Sequence, residues 1–465
     1  MSGGLLIRDV EVEGRRGLDV RLAGGRIVEI GAGLSGRETD LDGEGGALIP
    51  GLIDHHIHLF ALAAQAASAR LDEATSIDAV ARALQARSAM LPSGVWLRGV
   101  GYHEGGGELL DRRRLDAMVA ERPVRIQHRT GGLWILNSAA MALVGEAEAS
   151  PCVERDPLGE ATGRIWRGDD WLRARLPQAP PSLAGVSAEL ARRGVVGVTD
   201  ASVTNDQAQA EVFARAVAAG EWRQRLMLMS GGPLTSPANG GFQVGPVKVL
   251  LDDDRLPDLD AVAATMAQAH AWGRAVAVHC VAAGELAFAL AAFRMAGARP
   301  GDRIEHGGVI HPPAALEIAE LGLAVVTQPG FVAERGDRYL AEVDAHDIAA
   351  LYPCASLMRA GIKVAGSSDA PYAAADPWGA MAAAVRRTTR GGQPLGLDER
   401  IGPRAALGLF LGDFDDPGGR PRRVQLGVPA DLCLLRGPLD AALADPDAAR
   451  IAATLVGGEV IWGGG

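Results

Sequence analysis

Lysine is almost missing from this chain of 465 residues: of its 46 basic residues only Lys248 and Lys363 are lysines. Arginine keeps its proton, whereas lysine can become a neutral, nucleophilic amine, so a retained lysine raises a question of chemistry. Cysteine is also scarce. The four present, Cys152, Cys280, Cys354 and Cys433, never fall in a C-x-x-C spacing, which argues against a disulfide framework. Aromatic residues make up only 4%, so Val, Leu, Ile and Ala must fill the core. No basic run occurs and the net charge is −11, which argues against a nucleic-acid partner and for an acidic enzyme acting on a small molecule. The most apolar stretch, AAGELAFALAAFRMAGA, carries Glu285 and Arg294 and reads as a packed helix rather than a membrane span. The opening MSGGLLIRDVEVEG has no basic-then-apolar leader, so a cytoplasmic location is expected. No strand is followed by G-x-G-x-x-G or a P-loop, which removes the usual reasons to favour a doubly wound open sheet, a fold that alternating strands and helices also allow.

Hydrophobic residues are plentiful, at 48%, and their pattern is periodic. Residues 1–50 alternate short apolar runs with glycine and acidic turns, and the stretch from about 424 onward, with ADLCLLRG and IAATLVGGEVIW, has the same texture. Between them, eight apolar segments read as strands: LIPGLIDHHIH (48–58), VVGVTDA (195–201), RLMLMS (225–230), PVKVLL (246–251), AVAVHC (275–280), RIEHGG (303–308), LAVVTQ (323–328) and IKVAGSSD (362–369). Ala-rich helical segments separate most of them. The expected fold is α/β: a (β/α)8 TIM-like barrel over 51–399, with a small β-sandwich domain built from both termini, 1–50 and 400–465. The first two strands are far apart, so residues 90–190 form an insertion after barrel strand 1. It is rich in Trp, Arg and Gly, and inserts at that place sit over the barrel mouth as a lid or pocket wall.

Residues i and i+2 of a strand face the same side. His56 and His58 therefore point together with Asp54, and His55 and Ile57 point away. Two imidazoles so spaced can share one metal ion. The bland alternative is coincidence, but the chain has only ten histidines and four stand at strand ends. His279 closes AVAVH and His306 closes RIEH, on consecutive strands. Alone, each would more readily be structural; beside an HxH pair each becomes a ligand candidate. Asp369 follows the last strand, where a carboxylate can both bind metal and take a proton; its bland alternative is an N-cap. Lys248 lies among apolar neighbours. Burial favours its neutral amine, which can add carbon dioxide and become a carbamate able to bridge two metals; otherwise it snorkels to solvent.

These residues resemble the amidohydrolase superfamily, and within it amidohydrolase family 3, the YtcJ-like metal-dependent hydrolases. The motifs that carry the likeness are LIPGLIDHHIHL (48–59), LWILNSAAM (133–141), ERDPLGEATGRI (154–165), GPVKVLLDD (245–253), VHCVAAGE (278–285), RIEHGGVI (303–310), VVTQPGF (325–331) and VAGSSDAPY (364–372). They run in order along nearly the whole chain. The resemblance implies His56, His58, Lys248, His279, His306 and Asp369 as ligands of one or two divalent metals, zinc by preference, with Lys248 carbamylated by carbon dioxide if the centre is binuclear. Two departures stand out. Gly131-Gly132 replaces a Gly-His expected to contact substrate, and Asp252-Asp253 replaces Asp-Gly after the lysine motif.

The expected chemistry is hydrolysis of a non-peptide, amide-like C–N bond by metal-activated water, with Asp369 as general base and then acid. Tyr102, His103, His128, Trp134 and Asn137 of the insertion are candidate substrate contacts, and Arg129 and Arg164 leave an acidic substrate open. One rival is a nucleobase-type deaminase, which resemblance would equip with a glutamate three residues after the fifth-strand histidine. That position is Ala282 here, and Glu285 lies three further on. The other rival is a catalytically idle scaffold, which the complete ligand set disfavours. Composition leaves a homo-oligomer open.

Overall fold

The computed structural model describes residues 4–104, 109–145, 150–176, 180–237 and 240–464. Contacts divide the chain into two compact units, Met1–Leu59 with Ser182–Gly465, and Phe60–Pro181.

The first unit is centred on an eight-stranded parallel sheet. Numbered in chain order, its strands are β1 (Leu52–Ile57), β2 (Val195–Asp200), β3 (Arg225–Ser230), β4 (Gln243–Val249), β5 (Val276–Cys280), β6 (Arg303–His306), β7 (Ala324–Thr327) and β8 (Val364–Gly366). All eight expected segments contribute, and the (β/α)8 barrel holds. Both faces are covered, so the strands are continuous apolar runs rather than alternating ones. The helices after β2, β4 and β8 start at side-chain caps: Asp206 accepts from the Gln209 amide, Asp258 from that of Ala261, and Asp376 from that of Trp378. The ring is closed between β8 and β1 by the chain that follows β8. The Asp369 amide donates to the His56 carbonyl at 2.8 Å, and the His58 amide to the Ala370 carbonyl at 2.8 Å. Asp54 adds a side-chain link, accepting from the Ser368 amide at 3.0 Å. Near the strand N-termini, Ile53, Met227 and Phe414 pack as a buried plug.

One expected strand is two. LIPGLIDHHIH breaks at Gly51: Leu48–Pro50 joins a four-stranded sheet with Leu432–Leu435, Ile451–Val456 and Glu459–Gly463, while Leu52–Ile57 enters the barrel. A Cβ on Gly51 would sit 2.1 Å from Val196 Cγ1, so only glycine allows the chain to cross there. The turn between the last two strands uses Gly457 and Gly458 at φ +58° and +79°, the two positive values a type I′ hairpin requires. A second four-stranded sheet comprises Leu5–Val12, Arg15–Ala23, Arg26–Gly31 and Thr39–Asp42. Ile7, Val10, Val20, Leu48, Leu434 and Leu455 lie in one buried cluster shared by both sheets, so strands from both ends of the chain close over one core.

The second unit, inserted between β1 and β2, has a six-stranded mixed sheet of its own. Leu71, Leu97, Val124, Ile126 and Ile135 pack on one face; Trp134, Leu136, Met141 and Ile165 belong to a separate buried cluster. No helix among the described residues is long and apolar enough to cross a membrane.

Candidate metal centre

Because the barrel strands are parallel, their C-terminal ends share one face, and side chains from distant parts of the sequence converge there. His56 lies in β1, Lys248 in β4, His279 in β5 and His306 at the end of β6; His58 directly follows β1, and Asp369 lies three residues beyond β8. One ligand atom each of His56, His306 and Asp369 lies within 4.8 Å of the others. His58 Nε2 is 3.2 Å from Asp369 Oδ1. The His279 ring stands edge-on to His306 with centroids 4.4 Å apart. Lys248 is 4% exposed, and its charge bears on His56, His279 and His306. The other lysine, Lys363, forms an exposed ion pair with Asp416 at 2.6 Å. Snorkelling is thereby excluded for Lys248, and scarcity alone did not distinguish the two.

Strand alternation would send residues 305 and 306 to opposite faces. His306 has φ +70°, and this left-handed turn lets both neighbours reach the centre. Glu305 is fully buried; one oxygen bonds His56 Nδ1 and the other accepts from Arg303 Nε at 2.6 Å. Asp369 also has a positive φ, +54°. It does not cap the following helix, a task done by Asp376. Glu305, Gln328 and Ser202 were not singled out in the sequence. Gln328 Oε1 bonds His306 Nδ1 at 3.0 Å, and Ser202 Oγ bonds His58 Nδ1 at 3.0 Å. The Arg-x-Glu-His run of β6 was the one local clue, since a buried strand carrying two opposite charges at i and i+2 must neutralise them internally.

Proton positions follow from these partners. A carboxylate only accepts, so Glu305 requires the proton of His56 to sit on Nδ1, leaving a lone pair on Nε2. That lone pair faces Asp369 Oδ1 at 3.4 Å. Both atoms are buried without a hydrogen-bond partner among the described residues, and so is Lys248 Nζ. Two facing acceptors repel unless a cation lies near both, so the donor set fits a divalent ion. The rings are also in the right protonation state. Burial holds His56 and His306 well below the usual histidine range, and lowers His279 to about 4. Burial likewise lowers Lys248, opposed by the carboxylates Glu305 and Asp369. Neutral imidazoles are what metal binding requires, and burial moves Lys248 in the direction that carbamylation requires.

His55 is fully buried and stands outside the tightest group of ligand atoms, as do His58 and His279. Glu285 accepts from the amides of Val281 at 2.6 Å and Ala282 at 2.9 Å, capping the helix Ala283–Ala296. Its carboxylate serves that helix end, and the position three residues after His279 is Ala282. His311, His346 and Asp347 form a second, partly exposed group in which His311 Nε2 bonds Asp347 at 2.8 Å.

The five substrate candidates all lie in the insertion unit. The Tyr102 hydroxyl accepts from the Leu110 amide at 3.1 Å. His103 Nε2 is 3.3 Å from the Asp72 carbonyl, and His128 bonds Thr130 at 2.8 Å and Glu104 at 3.2 Å. Trp134 Nε1 donates to Asp169 at 2.8 Å. Asn137 is fully buried and serves the insertion's own backbone. Its oxygen accepts from the Val124 and Ala140 amides, both at 2.9 Å, and its amide donates to the carbonyls of Val119 at 3.0 Å and Arg122 at 2.9 Å. Asn137→Ala is therefore expected to destabilise the insertion by about 2–4 kcal/mol, from a lost N-cap and stranded buried groups. Chemical denaturation would measure it, and an unchanged midpoint would return Asn137 to a substrate role.

The sequence profile of the amidohydrolase family matches residues 40–462. The N-substituted formamide deformylase of Arthrobacter pascens is 24% identical over 97% of this chain and 96% of its own length. The putative amidohydrolase YtcJ of Bacillus subtilis (strain 168) is 25% identical over 74% of each chain. A metal-dependent hydrolase of Pyrococcus horikoshii shares the fold, with a TM-score of 0.77 at 18% identity over 99% of this chain and 100% of that one.

Proposed function

The chain belongs to the amidohydrolase family, and from that premise we propose that it is a metal-dependent hydrolase of a non-peptide, amide-like C–N bond. The reading is carried by one observation, the buried lone pairs of His56 Nε2 and Asp369 Oδ1 facing each other across 3.4 Å. His56, His58, His279, His306 and Asp369 would hold the ion, and nitrogen with carboxylate donors suits zinc. Lys248, once carbamylated, would offer two further oxygens and allow a second ion. When bound, a divalent ion supplies Lewis acidity that acidifies water and polarises a carbonyl. Asp369 takes the proton of the attacking water and returns it to the leaving nitrogen. Glu305 keeps His56 in the tautomer that turns Nε2 toward the centre, and Gln328, by accepting from His306 Nδ1, leaves the lone pair of that ring on Nε2. Similarity to a formamide deformylase along nearly the full length supports a small N-acyl or N-formyl substrate. Four free cysteines, three of them buried, support a cytoplasmic setting.

A hydrolysis screen over N-formyl, N-acyl, carbamate and cyclic amide compounds, with zinc or manganese supplied, tests this function. Turnover should disappear on chelation and return with metal. Activity that survives complete metal removal would sink the proposal. Lys248→Ala should lower turnover about tenfold to a hundredfold, by loss of an ion-orienting group. A short exogenous carboxylic acid should restore part of it by standing in for the carbamate. Wild-type rates in Lys248→Ala would remove the lysine from the centre.

A further inference from the structure

The fold supplies acceptors to many of its buried and half-buried arginines. Arg122 donates to the carbonyls of Leu91, Pro92 and Val95. Arg164 is taken up by Glu154 and the carbonyls of Leu109 and Leu110. Arg274 donates to three carbonyls and Ser230, and Arg387 to the carbonyls of Leu351, Tyr352, Leu395 and Gly396. Two arginines in the insertion unit depart from this rule. Arg98 and Arg125 are half-buried, yet among the described residues neither has a hydrogen bond or an ion pair, and the Nε of each is buried without a partner.

The two stand together. Arg98 in Leu97–Tyr102 is the register partner of Arg125 in the neighbouring parallel strand Val124–His128. The next strand, Leu133–Leu136, places Trp134 opposite Gln127, which shares the face of Arg125. Both guanidinium groups lie over the Trp134 ring, at 5.7 and 5.5 Å from its centroid. The indole is held in place by its bond to Asp169, which pairs with neither arginine. A cation–π contact offsets part of the desolvation cost but leaves the charge in place. Two adjacent cations also repel, and burial followed by the nearby Arg98 pushes Arg125 down to about 10. The chain has 57 acidic residues against 46 basic ones, yet among the described residues neither of these two has a counter-ion. Adjacent forked donors, backed by the buried Trp134 ring, are the arrangement that takes a carboxylate bidentately.

We propose that Arg98, Arg125 and Trp134 form a binding site in the insertion unit for the carboxylate of a small organic acid. This goes beyond the hydrolytic reading and does not rest on it, because binding needs no turnover.

Calorimetric titration of the full chain with benzoate, and with benzamide as its neutral counterpart, tests the site. Wild-type protein should bind benzoate saturably and at least tenfold more tightly than benzamide. Arg98→Met and Arg125→Met should each weaken benzoate at least tenfold while the melting temperature holds or rises, since each removes an unpaired cation. Arg125→Lys keeps the charge and loses the fork, and covers the case in which a Met variant fails to fold; it should weaken benzoate at least threefold. Equal affinity for the two probes, absence of saturable benzoate binding, or benzoate binding unchanged in the folded variants would each overturn the proposal.

Discussion

Asp369→Asn is expected to lower kcat/KM by about a thousandfold or more while the protein still folds. General-base catalysis by a positioned side chain contributes about a hundredfold to ten-thousandfold, and here the same carboxylate is also a ligand candidate. The loop that carries it is held by backbone groups: the Asp369 amide bonds the His56 carbonyl, and the His58 amide bonds the Ala370 carbonyl, each at 2.8 Å. Those bonds survive the substitution. What is lost is a negatively charged acceptor facing His56 Nε2, His58 Nε2 and His306 Nδ1 at 3.4, 3.2 and 3.8 Å. An asparagine amide is near in size but cannot carry a proton at neutral pH. Steady-state kinetics, metal content and a thermal melt should be measured on one preparation. A variant that keeps its metal and works within tenfold of wild type would remove Asp369 as the proton carrier.

Glu305→Ala is expected to cost about 3–5 kcal/mol of stability, the range seen when one partner of a buried charge pair is deleted. Arg303 is 1% exposed, and its Nε donates to Glu305 at 2.6 Å, so truncation strands a buried guanidinium that, among the described residues, keeps only the His55 carbonyl, at 3.2 Å. The same change releases His56 Nδ1. With no acceptor to fix its proton, the ring is free to present the wrong nitrogen, and metal affinity should fall about tenfold to a hundredfold. Glu305→Gln keeps an acceptor for one of the two donors and should lose less on both counts. Denaturant unfolding and a metal-competition titration separate the effects. If Glu305→Ala lost under about 1 kcal/mol and kept wild-type metal affinity, Glu305 would have no claim to orient the centre.

The barrel was legible in the sequence because its strands are short apolar runs that need no partner to be recognised; seven lie within the expected bounds, and the fourth, expected over 246–251, begins earlier, at Gln243. LIPGLIDHHIH misled only at Gly51, where a continuous apolar run conceals a change of sheet; hydropathy reports burial and not which sheet does the burying. The insertion's six-stranded sheet went unread for a related reason. Its strands are short and carry Arg98, Arg125, Gln127 and Arg164 among apolar residues, a pattern that composition assigns to loops.

The candidate ligands divide in the same way. Period-two alternation separates His56 and His58 from His55, and position at strand ends picks out His279 and His306, so these could be named from local pattern alone. Lys248 and Asp369 needed the resemblance as well, since a lone lysine or aspartate has a bland alternative. Glu305 could not be reached by alternation, because the positive φ of His306 breaks the rule at the one place where two neighbours must face the same centre. Its partner, His56, lies 249 residues away along the chain. The sequence by itself determined the barrel strands and which side chains could bind a metal, since periodicity and residue chemistry are local properties. Only the tertiary structure decided which lone pairs face one another and which cations lack a partner. Those depend on how the ring of strands closes and what the insertion's sheet sets side by side.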